Sequence, residues 1–100
     1  MITKNDMEVW MNRWEEDGSM TLKFEMAEGD VYYLSGDYKD VVMVRGDDEI
    51  TIITDIEFWE LDDNYLSLIQ PVGMADLTIR FYLPDIESIS VDYCGEDWED

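Results

Sequence analysis

The chain has 100 residues and a mass of 11.8 kDa, which is enough for one hydrophobic core and one domain. It carries 26 Asp and Glu residues against 6 Lys and Arg residues and no His, so its formal net charge at pH 7 is -20. This charge argues against direct binding to DNA, RNA or an anionic membrane, because each of these would repel the surface.

The composition nevertheless predicts a folded chain. Sequences this acidic are usually disordered, since they bury too little apolar surface to offset chain entropy. Here 46% of the residues are hydrophobic, and they include 4 Trp, 6 Tyr, 3 Phe and 7 Met. The sequence has no secretory signal and no apolar run of about 18 residues, so we expect a cytosolic protein with no membrane anchor.

The N-terminal segment places four large apolar side chains on one face of a helix. They are Met7, Trp10, Met11 and Trp14. Their spacing predicts a helix over about residues 4–16 with both tryptophans in the core. Thr3 is the expected N-cap, and Asp17-Gly18 is expected to end the helix.

From residue 20 onward, apolar and polar residues alternate, which predicts strands joined by tight turns. The predicted strands cover residues 20–26, 31–35, 38–45, 50–59, 65–70, 77–83 and 88–93. The segment 50–59 is expected to bend near Thr54, with Ile50, Ile52, Ile56 and Phe58 on one face. Connections this short require antiparallel pairing.

These elements predict a single α+β domain over residues 1–100. The N-terminal helix is expected to pack on a strongly curved antiparallel sheet, or on a small open barrel, of about six or seven strands. The β meander spans about residues 20–93, and residues 94–100 form an acidic tail. The order of elements is similar to that of SH3-like and Sm-like barrels, but a shared order implies no shared function.

The sequence argues against an enzyme. It lacks His, the commonest general base and metal ligand. Its one cysteine, Cys94, lies near Glu96 and Asp97, whose negative charges raise a thiol pKa and make a catalytic thiolate unfavourable. The acidic turns 46–49 and 62–64 lack the EF-hand pattern and are explained by the turn preference of Asp and Asn. We therefore expect no catalytic residue, no cofactor and no metal.

Five aromatic residues fall on the polar side of their strands or in the tail. They are Tyr32, Tyr38, Trp59, Tyr82 and Trp98. Exposed aromatics among acids suit a protein-binding face, where Tyr and Trp supply affinity and charges guide the approach. Ordinary cross-strand packing explains the same pattern equally well.

The acidic residues are the strongest functional feature of the sequence. They follow the predicted turns and solvent-facing positions, and their charge predicts a strongly basic protein partner. The candidate partner-binding residues are Asp37, Asp40, Asp47, Asp48, Glu49, Glu60, Asp62 and Asp63. A globule of this length is about 33 Å across, and 33 Å of duplex DNA carries roughly 20 phosphates, which matches the net charge.

In its composition the whole chain resembles the small acidic anti-CRISPR and anti-restriction proteins of phages and mobile elements. The resemblance rests on size, a net charge of -20, the lack of His, and acids clustered in turns such as Asp47-Asp48-Glu49 and Asp62-Asp63. It implies a cytosolic, non-enzymatic inhibitor that mimics nucleic acid and blocks the basic groove of a nuclease, with a CRISPR effector as the first target and a restriction enzyme as another. The alternatives are an immunity protein that neutralises a toxin nuclease, an acidic adaptor domain, and halophilic adaptation without an inhibitory role.

Overall fold

The computed structural model describes residues 1–93, and the acidic tail predicted for residues 94–100 lies outside the described residues. The described chain forms one α-helix followed by eight strands. Their bounds are α1 Lys4–Glu16, β1 Met20–Met26, β2 Val31–Ser35, β3 Asp40–Arg45, β4 Asp48–Ile53, β5 Phe58–Leu61, β6 Tyr65–Val72, β7 Ala75–Tyr82 and β8 Ile86–Tyr93, with a short 3-10 helix at Leu83–Asp85 between β7 and β8.

Helix α1 confirms the predicted bounds, but only one of the two tryptophans, Trp14, lies in the core, because Trp10 packs half-buried at its edge beneath Arg13. Thr3 is its N-cap: the Asp6 backbone N–H donates to the Thr3 hydroxyl at 3.2 Å, and the Thr3 N–H donates to the Asp6 carboxylate at 3.0 Å. Its buried side chains are Met7, Met11 and Trp14. The Trp14 indole N–H also donates to the carbonyl oxygen of Leu34 at 3.1 Å, which ties the helix to strand β2.

The eight strands form two antiparallel sheets that do not close into a barrel. The five-stranded sheet has the order β4-β3-β2-β1-β8, and the three-stranded sheet has the order β5-β6-β7. The α+β class and the antiparallel pairing are therefore as expected. The predicted single curved sheet or barrel of six or seven strands is wrong in detail, because the chain divides its strands between two sheets.

The division occurs within the segment predicted as one bent strand. Strand β4 ends at Ile53 in the larger sheet, and β5 begins at Phe58 in the smaller one. Between them Asp55 has a left-handed backbone with φ 52°, and the Ile56 N–H donates to the Lys39 carbonyl oxygen at 2.9 Å. This connection redirects the chain from one sheet to the other, so the segment cannot continue as one strand.

The face predicted for this segment is also wrong. The side chains of Ile50 and Ile52 are 51% and 43% exposed, and Phe58 is exposed too, whereas Ile53 and Ile56 are buried. The register between β3 and β4 shifts between Val41 and Val42, which changes the alternation of inward and outward side chains along β4.

The core lies between the two sheets and the helix. Phe81 of the smaller sheet meets Phe24 and Tyr32 of the larger sheet edge-on, with ring centroids 5.2 and 5.0 Å apart. One face of the five-stranded sheet is therefore covered. Its opposite face carries half-buried and exposed side chains such as Tyr33, Val42 and Asp92, and we call it the outer face.

Candidate partner-binding surface

All six cationic side chains of the protein are engaged by neighbouring groups. Three lie within 4.0 Å of a carboxylate, in the pairs Lys4–Asp63, Lys23–Glu25 and Arg45–Asp30. The other three lie over aromatic rings, in the pairs Arg13–Trp10, Lys39–Trp14 and Arg80–Tyr65. Since the chain has 26 acids and only these six cations, carboxylates dominate the charge that the protein presents to a partner.

The outer face of the five-stranded sheet forms a concave groove of about 420 Å³, which we call the outer groove. Its lining residues are Thr21, Tyr33, Ser35, Tyr38, Asp40, Val42, Val44, Glu49 and Asp92. Tyr33, Val42 and Val44 are half-buried and give the groove an apolar floor. Such a floor on the solvent side of a sheet is available for contact with another molecule.

The strand register places the three carboxylates of the outer groove well apart. Asp40 and Asp92 lie in one row across the sheet, three strands from each other, which corresponds to about 14 Å. Glu49 pairs with Val44, four residues along β3 from Asp40 and hence about 13 Å away along the strand. The carboxylates thus surround the apolar floor.

None of the ion pairs found within residues 1–93 involves Asp40, Glu49 or Asp92. Partial burial raises the pKa of Asp40 above its ordinary value of 3.8, because the charged form loses hydration. A cation brought to Asp40 by a partner would restore the lost stabilisation of the carboxylate.

Tyr38 is the most exposed aromatic side chain at this site, with 74% of its surface exposed. It belongs to the turn between β2 and β3, where its N–H donates to the Ser35 hydroxyl at 3.2 Å. Gly36 begins this turn, and its N–H donates to the Met20 carbonyl oxygen at 2.8 Å. This contact with β1 fixes the base of the turn that presents Tyr38.

A second groove of about 520 Å³ lies on the other side of Tyr38. Its lining residues are Asp37, Tyr38, Lys39, Asp55, Ile56, Glu57, Gln70 and Pro71. Lys39 and Asp55 both have left-handed backbones, with φ 53° and 52°. Tyr38 therefore stands between two grooves, each of which is lined by three carboxylates.

The structure separates the eight predicted site residues. Asp40 and Glu49 line the outer groove, and Asp37 lines the second groove. Asp47 and Asp48 are exposed at the turn from β3 to β4, beside Glu49.

The remaining three predicted residues belong to another surface. Glu60 and Asp62 lie near Arg80 in a shallow depression of the smaller sheet, and the Asp63 carboxylate is 4.0 Å from the Lys4 ammonium. The Asp62 carboxylate accepts the N–H groups of Asn64 and Tyr65, both at 2.8 Å, and these bonds hold its pKa below its ordinary value. Asp62 therefore stabilises a turn, as the turn preference of aspartate predicts.

Tyr33 and Asp92 are candidate contact residues that the predicted site did not include. The alternation along β2 places Tyr33 opposite to the buried Leu34, and this signal was present in the sequence. Asp92 reaches the groove only because β8 pairs with β1, with Asp92 opposite Thr21. Two strands separated by more than 60 residues leave no local sequence signal of their pairing.

Comparisons with protein-family models, with curated proteins and with solved structures found no match to this chain. Within residues 1–93, no group of three or more His, Cys, Asp or Glu side chains is arranged to hold a metal ion. No helix in that part of the chain has the length and apolar character needed to cross a membrane. The outer groove and the Tyr38 turn are therefore the features from which a function can be argued.

Proposed function

We propose that this protein is a non-enzymatic acidic inhibitor that occupies the basic nucleic-acid-binding groove of a nuclease, with carboxylates in place of phosphates. The observation that carries the proposal is the excess of 26 acids over six cations, three of which are paired with carboxylates. A surface of carboxylates with few competing cations attracts the Lys and Arg residues that normally hold phosphates.

The charge density of the protein is in the range of a nucleic acid. The longest principal extent is 42 Å, and duplex DNA of that length carries about 25 phosphate charges. The protein carries a formal charge of -20. A basic groove that accommodates duplex DNA therefore meets a similar amount of negative charge over a similar length.

Inhibition of purified nucleases tests the proposal. A CRISPR effector, a restriction enzyme and a toxin nuclease are each titrated with the protein while cleavage of labelled DNA is followed. We expect stoichiometric inhibition of one enzyme, relieved by excess DNA and weakened steeply by salt, because counterions compete for the basic groove. Inhibition that neither DNA nor salt relieves would contradict mimicry, and so would the failure to inhibit any nuclease of the panel.

A pair of variants separates charge from fold. The substitutions Asp47→Lys and Asp48→Lys reverse two exposed charges and should weaken inhibition strongly. The matched pair Asp47→Glu and Asp48→Glu keeps both charges and should retain it. Circular dichroism of both variants checks that the fold persists. Equal inhibition by the two would refute a role for charge in this turn.

The exposed Tyr38 favours a second candidate function, that of an immunity protein for a toxin nuclease. Such proteins combine steering by acids with one aromatic side chain that supplies much of the affinity. In that case Tyr38→Ala should weaken binding by more than the loss of any one carboxylate, and co-expression should protect cells from the toxin. Mimicry predicts instead that the loss of affinity is spread over many acids.

A further inference from the structure

We infer that the outer groove receives an arginine side chain from a basic segment of the partner protein, stacked against Tyr33 and Tyr38 and bonded to the carboxylate of Asp40. The inference rests on the proposed function for the class of partner and adds the docking surface and the chemical group recognised. Tyr33 and Asp40 lie on adjacent strands at diagonal positions of the outer face, so one guanidinium can reach both.

The apolar floor limits what can occupy the groove. A small hydrated cation gains little binding free energy from contact with Tyr33, Val42 and Val44. An arginine side chain has an apolar stem and a planar guanidinium that stacks on aromatic rings. Asp40 and Glu49 at the floor then select a cation, whereas Asp92 lies in the field of Lys23, which is opposite Tyr33 on β1. The groove combines the two surfaces that arginine needs.

The protein's own arginines use the same two kinds of contact. Arg45 donates two hydrogen bonds, of 3.0 and 2.8 Å, to the carboxylate of Asp30. Arg13 lies 5.0 Å from the ring centroid of Trp10, and Arg80 lies 4.5 Å from that of Tyr65. In the outer groove an aromatic pair and a carboxylate occur together, and no ion pair of the described chain involves that carboxylate.

The negative charge of the protein argues against two other possible occupants of the outer groove. A second copy of the protein carries the same charge of -20 and would be repelled, and a nucleic acid would be repelled for the same reason. A lysine side chain satisfies the charge but lacks the planar, multiply donating head that matches both a ring face and a carboxylate. The partner segment is therefore expected to be arginine-bearing and part of a protein.

The test uses nuclear magnetic resonance of the ¹⁵N-labelled full chain, titrated at low ionic strength with two peptides of equal length and charge, one alternating Gly and Arg and the other Gly and Lys. We expect the Arg peptide to bind about fivefold more tightly, with amide shifts confined to β1–β4, β8 and the Tyr38 turn. Equal affinities, or shifts spread over β5–β7, would overturn the inference in favour of diffuse attraction between charges.

A matched pair of variants locates the contact. Asp40→Asn with Tyr38→Ala removes one acid and one exposed tyrosine at the outer groove. Asp76→Asn with Tyr82→Ala removes the same groups from the smaller sheet, where both residues are exposed. We expect the groove variant to lose the preference for Arg over Lys and the control variant to keep it. The same loss in both variants would overturn the assignment of the site.

The experiments can refute the inhibitor function and the docking surface independently of each other. Arginine preference at the outer groove with no nuclease inhibited would retain the docking surface and reject the inhibitor function. Full inhibition of a nuclease by the Asp40→Asn and Tyr38→Ala variant would retain the inhibitor function and reject the outer groove as its docking surface.

Discussion

Replacement of Trp14 by Phe tests how the helix is fixed to the larger sheet. The change removes the buried hydrogen bond to the Leu34 carbonyl oxygen, which contributes about 0.5–1.5 kcal/mol. The smaller phenyl ring leaves a cavity that costs about 1 kcal/mol of stability. The weaker cation–π contact with Lys39 costs roughly 0.5 kcal/mol more. Trp14→Phe should therefore destabilise the protein by about 2–3 kcal/mol, a large share of the roughly 5–15 kcal/mol typical of a domain.

Urea denaturation followed by circular dichroism measures this loss. With an m-value of about 1.5 kcal/mol/M, the midpoint should fall by about 1.3–2 M with m unchanged. Trp10→Phe is the matched control, because Trp10 is only partly buried and its stack with Arg13 lies at the surface. It should cost less than about 1 kcal/mol. A Trp14→Phe midpoint within error of the Trp10→Phe midpoint would refute the role assigned to the buried indole bond.

Three further predictions concern the turn, one ion pair and the total charge. Gly36→Ala should destabilise the protein by about 2–3 kcal/mol, since its Cβ would overlap the Met20 carbonyl oxygen and lie 3.1 Å from the carbonyl oxygens of Asp17 and Gly18. The control Gly18→Ala, whose Cβ meets no atom within 4 Å, should be nearly neutral in the same urea assay. The bonds from Arg45 lower the pKa of Asp30 below its ordinary value of 3.8, so the pair stabilises the fold above about pH 4 and this stabilisation is lost as pH falls through the folded pKa. The stability deficit of Asp30→Asn relative to Glu28→Gln, which removes an equal charge nearby, should therefore shrink below pH 4, and a deficit independent of pH would contradict this account. Raising NaCl from about 0.01 M to about 1 M shortens the screening length from about 30 Å to about 3 Å, so the melting temperature should rise by about 4 °C or more, and an unchanged or lower value would show that self-repulsion is minor.

The local elements were predictable because their signals are local. The spacing of Met7, Met11 and Trp14 is enough to define α1, and Thr3 supplies the cap that starts it. The division into two sheets was not predictable, because it depends on a left-handed Asp55 and on a hydrogen bond from Ile56 to Lys39. Neither has a residue-type signature, since aspartate adopts this backbone only in a minority of cases.

The candidate site was predictable only in part. Asp37 was predicted in a turn and Asp40 in the strand 38–45; both lie beside Tyr38 in the structure, and Asp40 is half-buried. Asp62 was included in the same set because it too is an acid in a predicted turn. In the structure its carboxylate accepts hydrogen bonds from the N–H groups of Asn64 and Tyr65 in that turn. Which acids share a face depends on strand order, and strand order follows from packing between distant segments.

Strand order also determines when this protein can finish folding. Strand β1 lies inside the larger sheet between β2 and β8, and its partners in β8 are 60 to 73 residues further along the chain. Contacts at such separation close late and favour folding in milliseconds to seconds. At a synthesis rate of about 5–20 residues per second, one edge of β1 lacks its partner for about 3–15 s. We expect the negative charge of the chain to disfavour pairing of this edge with other copies of the same chain during that interval.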